Sequence, residues 1–239
     1  MAETDRATRS RLTRGGILRA AIALADERGL DGLTMRALAD GLGVEAMSIY
    51  HHLPNKDAIL DGAIEEVFAE IAAETLASAP AVPNGAAVTP APAWDAAVGA
   101  RILAARRVLL RHPWVPWVLN ARGAPGPNAA RHVDGIVAAM HDGGLAYDLI
   151  HHALHALGSR VYGYVQELSD DGGELPAGAL EQLAMVAPNL AAMLAEVVHD
   201  DPDSTLGWCD DQTEFEFGLD LLLDGLVRRA ADPSLPPVE

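Results

Sequence analysis

From Leu33 to Lys56 the chain reads LTMRALADGLGVEAMSIYHHLPNK, and a short helix inside it carries the side chains whose chemistry stands out. Ala46, Met47, Ser48, Tyr50 and His51 are expected on its partly exposed face, with Ile49 turned inward. Hydroxyls and an imidazole can bond to phosphates or base edges. Alanine and methionine cannot donate to a base, but they can meet a thymine methyl. The alternative role for Tyr50 is as a packing aromatic.

Presenting these groups needs a tight scaffold, and the preceding residues supply one. Thr34 can N-cap a first helix, because its hydroxyl accepts a bond from an otherwise orphan backbone N–H. Leu38 and Leu42 recur one turn apart and bury one face. Gly43 stands where the chain must reverse, since only glycine takes positive φ without steric cost, and Val44 plugs the corner. Two short helices around such a turn form a helix-turn-helix, whose second helix lies in the major groove of DNA. Upstream, residues 13–29 predict another helix with Ile17, Leu18, Ala21, Ile22, Leu24 and Ala25 as its stripe and Gly29 as its close. Downstream, Pro54 breaks the chain and Asn55 can cap a longer helix running through Ile59, Leu60, Ile64, Val67, Phe68 and Ile71.

The run Thr34-x-Arg36-x-Leu38-Ala39, then Leu42-Gly43-Val44, Ile49-Tyr50-His51-His52 and Asn55-Lys56, resembles the tetracycline-repressor family of bacterial transcriptional regulators. Ile17 to Gly29 fits the family's first helix and Ile59 to Ile71 the start of its fourth. The resemblance implies an all-α protein: a DNA-binding domain at 1–54 and a ligand-binding and dimerisation domain at 55–239. It places Arg36 where the family's arginine reaches a base edge, and Ser48, Tyr50, His51 and Lys56 where phosphates or base edges are held. Thr34, Met35, Ala46 and Met47 complete the DNA-facing set, and Arg11 and Arg14 are expected to meet the backbone from a flexible arm. The implied partners are double-stranded operator DNA, a small-molecule effector and a second copy of the chain. The competing reading is a regulator-like dimer that has lost DNA binding, against which Arg36, Tyr50 and Lys56 speak.

The net charge of −17 looks wrong for such a role until its distribution is read. Residues 1–60 hold eight Lys/Arg and eight Asp/Glu, so the acidic excess lies wholly in the remainder. Arg6, Arg9, Arg11, Arg14 and Arg19 oppose only Glu3 and Asp5 at the front. A basic arm beside a neutral head can hold phosphates while the acidic body repels DNA elsewhere. Half the chain is apolar and only 5% aromatic, which favours helix on helix. The single Cys209 excludes an intrachain disulfide and fits a reducing cytoplasm. No secretory leader or membrane span is expected.

In the body, residues 77–93 form a Pro/Ala-rich insert in which Pro80, Pro83, Pro90 and Pro92 forbid a continuous helix. Helices are expected over 94–111, around 114–119, over 128–141 (stripe Val133, Ile136, Val137, Met140), 147–168, 180–198 with a break at Pro188, and 214–229. The apolar faces Ile150–Leu168 and Phe215–Leu226 should pair across a two-fold axis as a four-helix bundle. Trp94 to Pro113, Ala153 to Glu167 and Phe217 to Leu226 look like the tetracycline-repressor subclass's ligand-binding domain. Aromatic walls with a few polar points suit a small-molecule site. The pocket candidates are Ile64, Phe68, Arg101, His112, Trp114, Trp117, Asn120, His155, Ser159 and Tyr164; arginine, here Arg101 and Arg160, suggests an anionic ligand. The resemblance sets His112 at a position that helps hold a drug-bound metal, but Pro113 follows it, Ser159 replaces a later histidine, and Arg101 replaces a small polar contact. Neither tetracycline nor a metal is therefore expected, no cofactor is implied, and His151 and His155 are read as pocket or seam residues. No nucleophile elbow, phosphate loop or paired catalytic carboxylate suggests an enzyme.

Overall fold

The computed structural model describes residues 12–78, 93–122, 126–164, 178–197 and 211–232, and among them every regular element is a helix. Arg11, most of the Pro/Ala insert and the residues beyond Tyr164 expected to extend that helix lie outside the described set. The chain divides into two compact units, residues 1–143 and 144–239.

The first unit begins with α1 (Arg14–Gly32), whose Thr13 hydroxyl accepts from the Gly16 N–H at 3.1 Å. Gly29 interrupts it with φ 68°, and the chain then makes one further turn before Leu33. α2 (Met35–Leu42) starts on Thr34, whose Oγ1 accepts from the Ala37 N–H at 3.1 Å. It stops at Gly43, which is left-handed at φ 64° and donates its N–H to the carbonyls of Ala39 and Asp40. α3 (Ala46–Tyr50) follows. Ile17, Leu18, Ala21, Ala25, Leu33, Leu38, Ala39, Ile49 and Leu53 make the buried core of this head.

α4 (Lys56–Ala77) is capped by Asn55, whose Oδ1 accepts from the Ala58 N–H at 2.8 Å. It packs against α1, α5 (Trp94–Arg111), α6 (Val115–Asn120) and α7 (Pro127–Asp142). The close approach of α1 and α4 explains Gly62: a Cβ there would lie 2.7 Å from Leu18 Cδ2. The buried stripe of α7 is Ala129, His132, Ile136 and Met140. That corrects the expected register, because Val133 is 38% exposed and a histidine takes its place inside.

The second unit contains α8 (Tyr147–Tyr164), α9 (Ala179–Val186), α10 (Pro188–Val197) and α11 (Asp211–Ala231). Pro188 separates α9 from α10, as its missing N–H requires. α8 buries Ile150, Ala153, Leu157 and Val161, and α11 buries Phe215, Leu219 and Leu223; the two helices pack together. No described helix is long and apolar enough to cross a membrane.

Candidate DNA interface and effector-responsive body

On α3 only Ile49 is fully buried; Met47 is 64% and Tyr50 41% exposed. His51 is exposed, while Ala46 and Ser48 are half-buried. One inward anchor therefore fixes a five-residue helix that turns the rest outward. On α2, Arg36 is almost fully exposed, and among the described residues its one ion pair is with Asp40 at 4.0 Å. Such a surface contact is worth little, so the guanidinium is available to a partner. Thr34 is exposed but its hydroxyl is engaged in capping, and Met35 is half-buried. Lys56 is turned back, its Nζ donating to the Leu30 carbonyl at 2.9 Å, where it ties the start of α4 to the end of α1. Arg14 borders a cleft of about 520 Å³ that also meets Ile64, Leu119, Arg122 and Pro127, where the head joins α4.

Within the first unit, the candidate pocket residues fall into separate groups. Trp114 is buried, and its indole N–H donates to Asp26 Oδ1 on α1 at 2.7 Å. His112 is buried beside it, with Nδ1 2.9 Å from the same Asp26 oxygen and Nε2 3.3 Å from Glu70 Oε2 on α4. Both ring nitrogens thus face carboxylates. Burial would raise the Glu70 pKa, but hydrogen bonds from Arg111 and His112 outweigh it and hold the carboxyl below its ordinary value. Asp26 and Glu70 escaped sequence reasoning because each is one acidic residue among many. Only the packing of α1 and α4 against the end of α5 gives them a role.

Further polar bonds fasten α4 along its length. Arg122 reaches Asp57 at 3.3 Å and Asp61 at 3.1 Å. Asn128 donates its N–H to Glu65 Oε2 at 2.8 Å and its Nδ2 to the Glu65 carbonyl at 2.9 Å. Arg107 donates to Glu74 at 2.8 Å. α4 is therefore held by residues at the ends of α5, α6 and the start of α7.

A separate cluster joins α4, α5 and α7. Phe68 and His132 lie with ring centroids 5.8 Å apart. Burial, then the Arg101 cation, pushes the His132 pKa down to about 4. Arg101 lies flat against Gly135, where any Cβ would come within 2.7 Å of Nη1. Ile64 and Phe68 are buried, 4% and 2% exposed. Trp117 is 61% exposed and Asn120 is exposed. In the second unit His155 and Ser159 are exposed on α8; His151 and His155 stack edge to face at 4.7 Å. Tyr164 ends α8, its side chain outside the described set. Among the described residues no group of three His, Cys, Asp or Glu side chains is placed to hold a metal. His132 was legible in principle: it lies on one stripe with Ala129, Ile136 and Met140.

Comparison with known proteins agrees with this layout. Residues 17–63 match the family model "Bacterial regulatory proteins, tetR family", and residues 89–230 match "Tetracyclin repressor-like, C-terminal domain". An HTH-type transcriptional regulator of Saccharopolyspora erythraea is 30% identical over 233 residues, 95% of this chain and 90% of that one. The HTH-type transcriptional repressor DrrR1 of Streptomyces coeruleorubidus is 28% identical over 93% of this chain and 80% of its own. The Streptomyces coelicolor TetR family protein ActR, solved in complex with (S)-DNPA, superposes with a TM-score of 0.69 at 27% identity, covering 92% of this chain and 98% of that one. With both halves matched and a relative aligned over nearly its whole length, the chain belongs to the tetracycline-repressor family: it is a transcriptional regulator with a DNA-binding helix-turn-helix head and a ligand-responsive helical body.

Proposed function

We propose that this regulator is a homodimeric repressor that leaves a two-fold symmetric operator when an organic effector enters its body. The observation that carries the reading is the outward face of α3, where Met47, Tyr50 and His51 surround a single buried anchor, with Arg36 free beside it. Arg36 would read a base edge, Ser48, Tyr50 and His51 would bond base edges or phosphates, and Ala46 and Met47 would meet thymine methyls. Arg11 and Arg14 would hold the backbone, with Lys56 joining them on release from Leu30. The head, in this reading, is residues 1–54 and the effector and dimer domain residues 55–239. The relatives named as repressors, and ActR as a ligand complex, support the switch.

The dimer would form through the sides of α8 and α11 that their mutual packing leaves over. Leu157 and Leu223 are spent within the pair, whereas Phe217 and Leu221 remain 62% and 55% exposed on α11. A second chain covering them places two recognition helices about 34–36 Å apart, one turn of DNA.

α4 would be the lever. Its bonds to Arg111, His112, Arg122 and Asn128 carry any shift of α5, α6 or α7 to the head. Selection from a pool of randomised duplexes tests the reading. The full-length protein is expected to enrich a palindrome with half-sites one turn apart; recovery of no common sequence would remove the operator-binding role.

A further inference from the structure

We propose that the effector is an organic acid whose anionic group is held between Arg101 on α5 and His132 on α7. This rests on the ligand-released reading above and adds the chemical class of the ligand.

The first observation is a cation without a counter-charge. Arg101 is half-buried and forms no ion pair or hydrogen bond among the described residues. Of the carboxylates on the facing helix, Asp57 and Asp61 pair with Arg122, Glu65 accepts from Asn128, Glu70 from Arg111 and His112, and Glu74 from Arg107, while Glu66 is exposed to solvent. Partial burial of an unmatched charge is costly, so the site gains most from a ligand that brings the opposite sign.

The second observation is the neighbour. His132 is only 9% exposed, packed against Phe68, with no hydrogen-bond partner among the described residues. Burial first, and then the field of Arg101, the charged group acting on it, keep the ring neutral. An anion set between the two would bond the guanidinium by charge-assisted hydrogen bonds and accept one from the imidazole N–H. It would also offset the smaller of the two effects that lower the imidazole's proton affinity, the Arg101 charge.

The third observation is that the sequence leaves room for the guanidinium itself on α7. Gly135 lies one turn after His132 on α7, and a side chain there would collide with the Arg101 guanidinium. Phe68 packs on His132, and the buried Ile64, Ile102 and Ile136 of α4, α5 and α7 are apolar. They suit a ligand whose body is hydrocarbon and whose acidic group is single.

Two fluorescent probes sharing a ring system test this on the full-length protein: anilinonaphthalene sulfonate, and phenylnaphthylamine, which lacks the sulfonate. The unmodified protein is expected to bind the sulfonate about tenfold or more tightly than the neutral probe. Arg101→Gln should erase that preference while leaving phenylnaphthylamine affinity within about twofold, and Arg101→Lys, which keeps the charge, should retain most of it. His132→Phe should lower the preference with the apolar probe unaffected. Equal affinity for the two probes, or a preference that survives Arg101→Gln, overturns the assignment. Operator selection by the same preparations is read separately, so a chain that selects DNA but ignores the sulfonate loses the ligand class and keeps its role as a regulator.

Discussion

Asp26 accepts bonds from His112 and Trp114, residues 86 and 88 positions away, so one carboxylate joins the reading head to the body. Asp26→Ala should cost about 1–3 kcal/mol, because it leaves a buried indole N–H without an acceptor; denaturant melts measure it, and an unchanged midpoint would mean the bond is immaterial. His132 gives a pH signature of its own. Its folded pKa of about 4 lies below the ordinary 6.5, so the unfolded chain takes up a proton that the folded chain refuses. Stability from this group is therefore complete above about pH 6.5 and is lost as pH falls to about 4, by up to about 3 kcal/mol. His132→Phe should flatten that stretch of the stability curve. Arg36, proposed to read a base edge, has an exposed side chain, so Arg36→Ala should leave the melting temperature unmoved.

At the scale of the element, the caps decide where helices begin and stop. Thr34→Ala removes the acceptor for the Ala37 N–H and should destabilise the head by about 0.5–2 kcal/mol, read by thermal unfolding of the full chain. Thr34→Ser should restore most of the loss. These local signals made the elements legible: Thr34, Gly43 and Asn55 mark their boundaries by residue type, and the two α-helices around Pro188 follow from its missing N–H. The register of α7 was harder. Two valines drew the stripe to Val133 and Val137, yet the buried position belongs to His132, because burial follows the angle facing α4 and α5 rather than hydrophobicity alone. The candidate DNA face rested on spacing within one short segment. The junction around Asp26 and Glu70 did not, since it joins α1 and α4 to the end of α5 and the turn after it, and no local pattern announces it. The separation of exposed Trp117 from the buried pair His112 and Trp114 is likewise set by packing, since all three lie within six residues of one another in sequence.

For the whole molecule, the account requires two chains acting as one. Phe217→Glu with Leu221→Glu should yield folded monomers in sedimentation, since both side chains are exposed within a single chain, and such monomers should lose operator binding; retained binding would detach assembly from function. The acidic body and the neutral head together predict binding that weakens steeply with salt through the few cations that touch phosphate. The most direct test of the central claim is an anisotropy titration of the selected duplex and a scrambled duplex with the unmodified chain and Arg36→Ala. The account predicts two chains per selected duplex, and an affinity for it that Arg36→Ala lowers by about 1–3 kcal/mol while leaving the scrambled duplex unaffected. Equal affinity of the unmodified chain for both duplexes would contradict it.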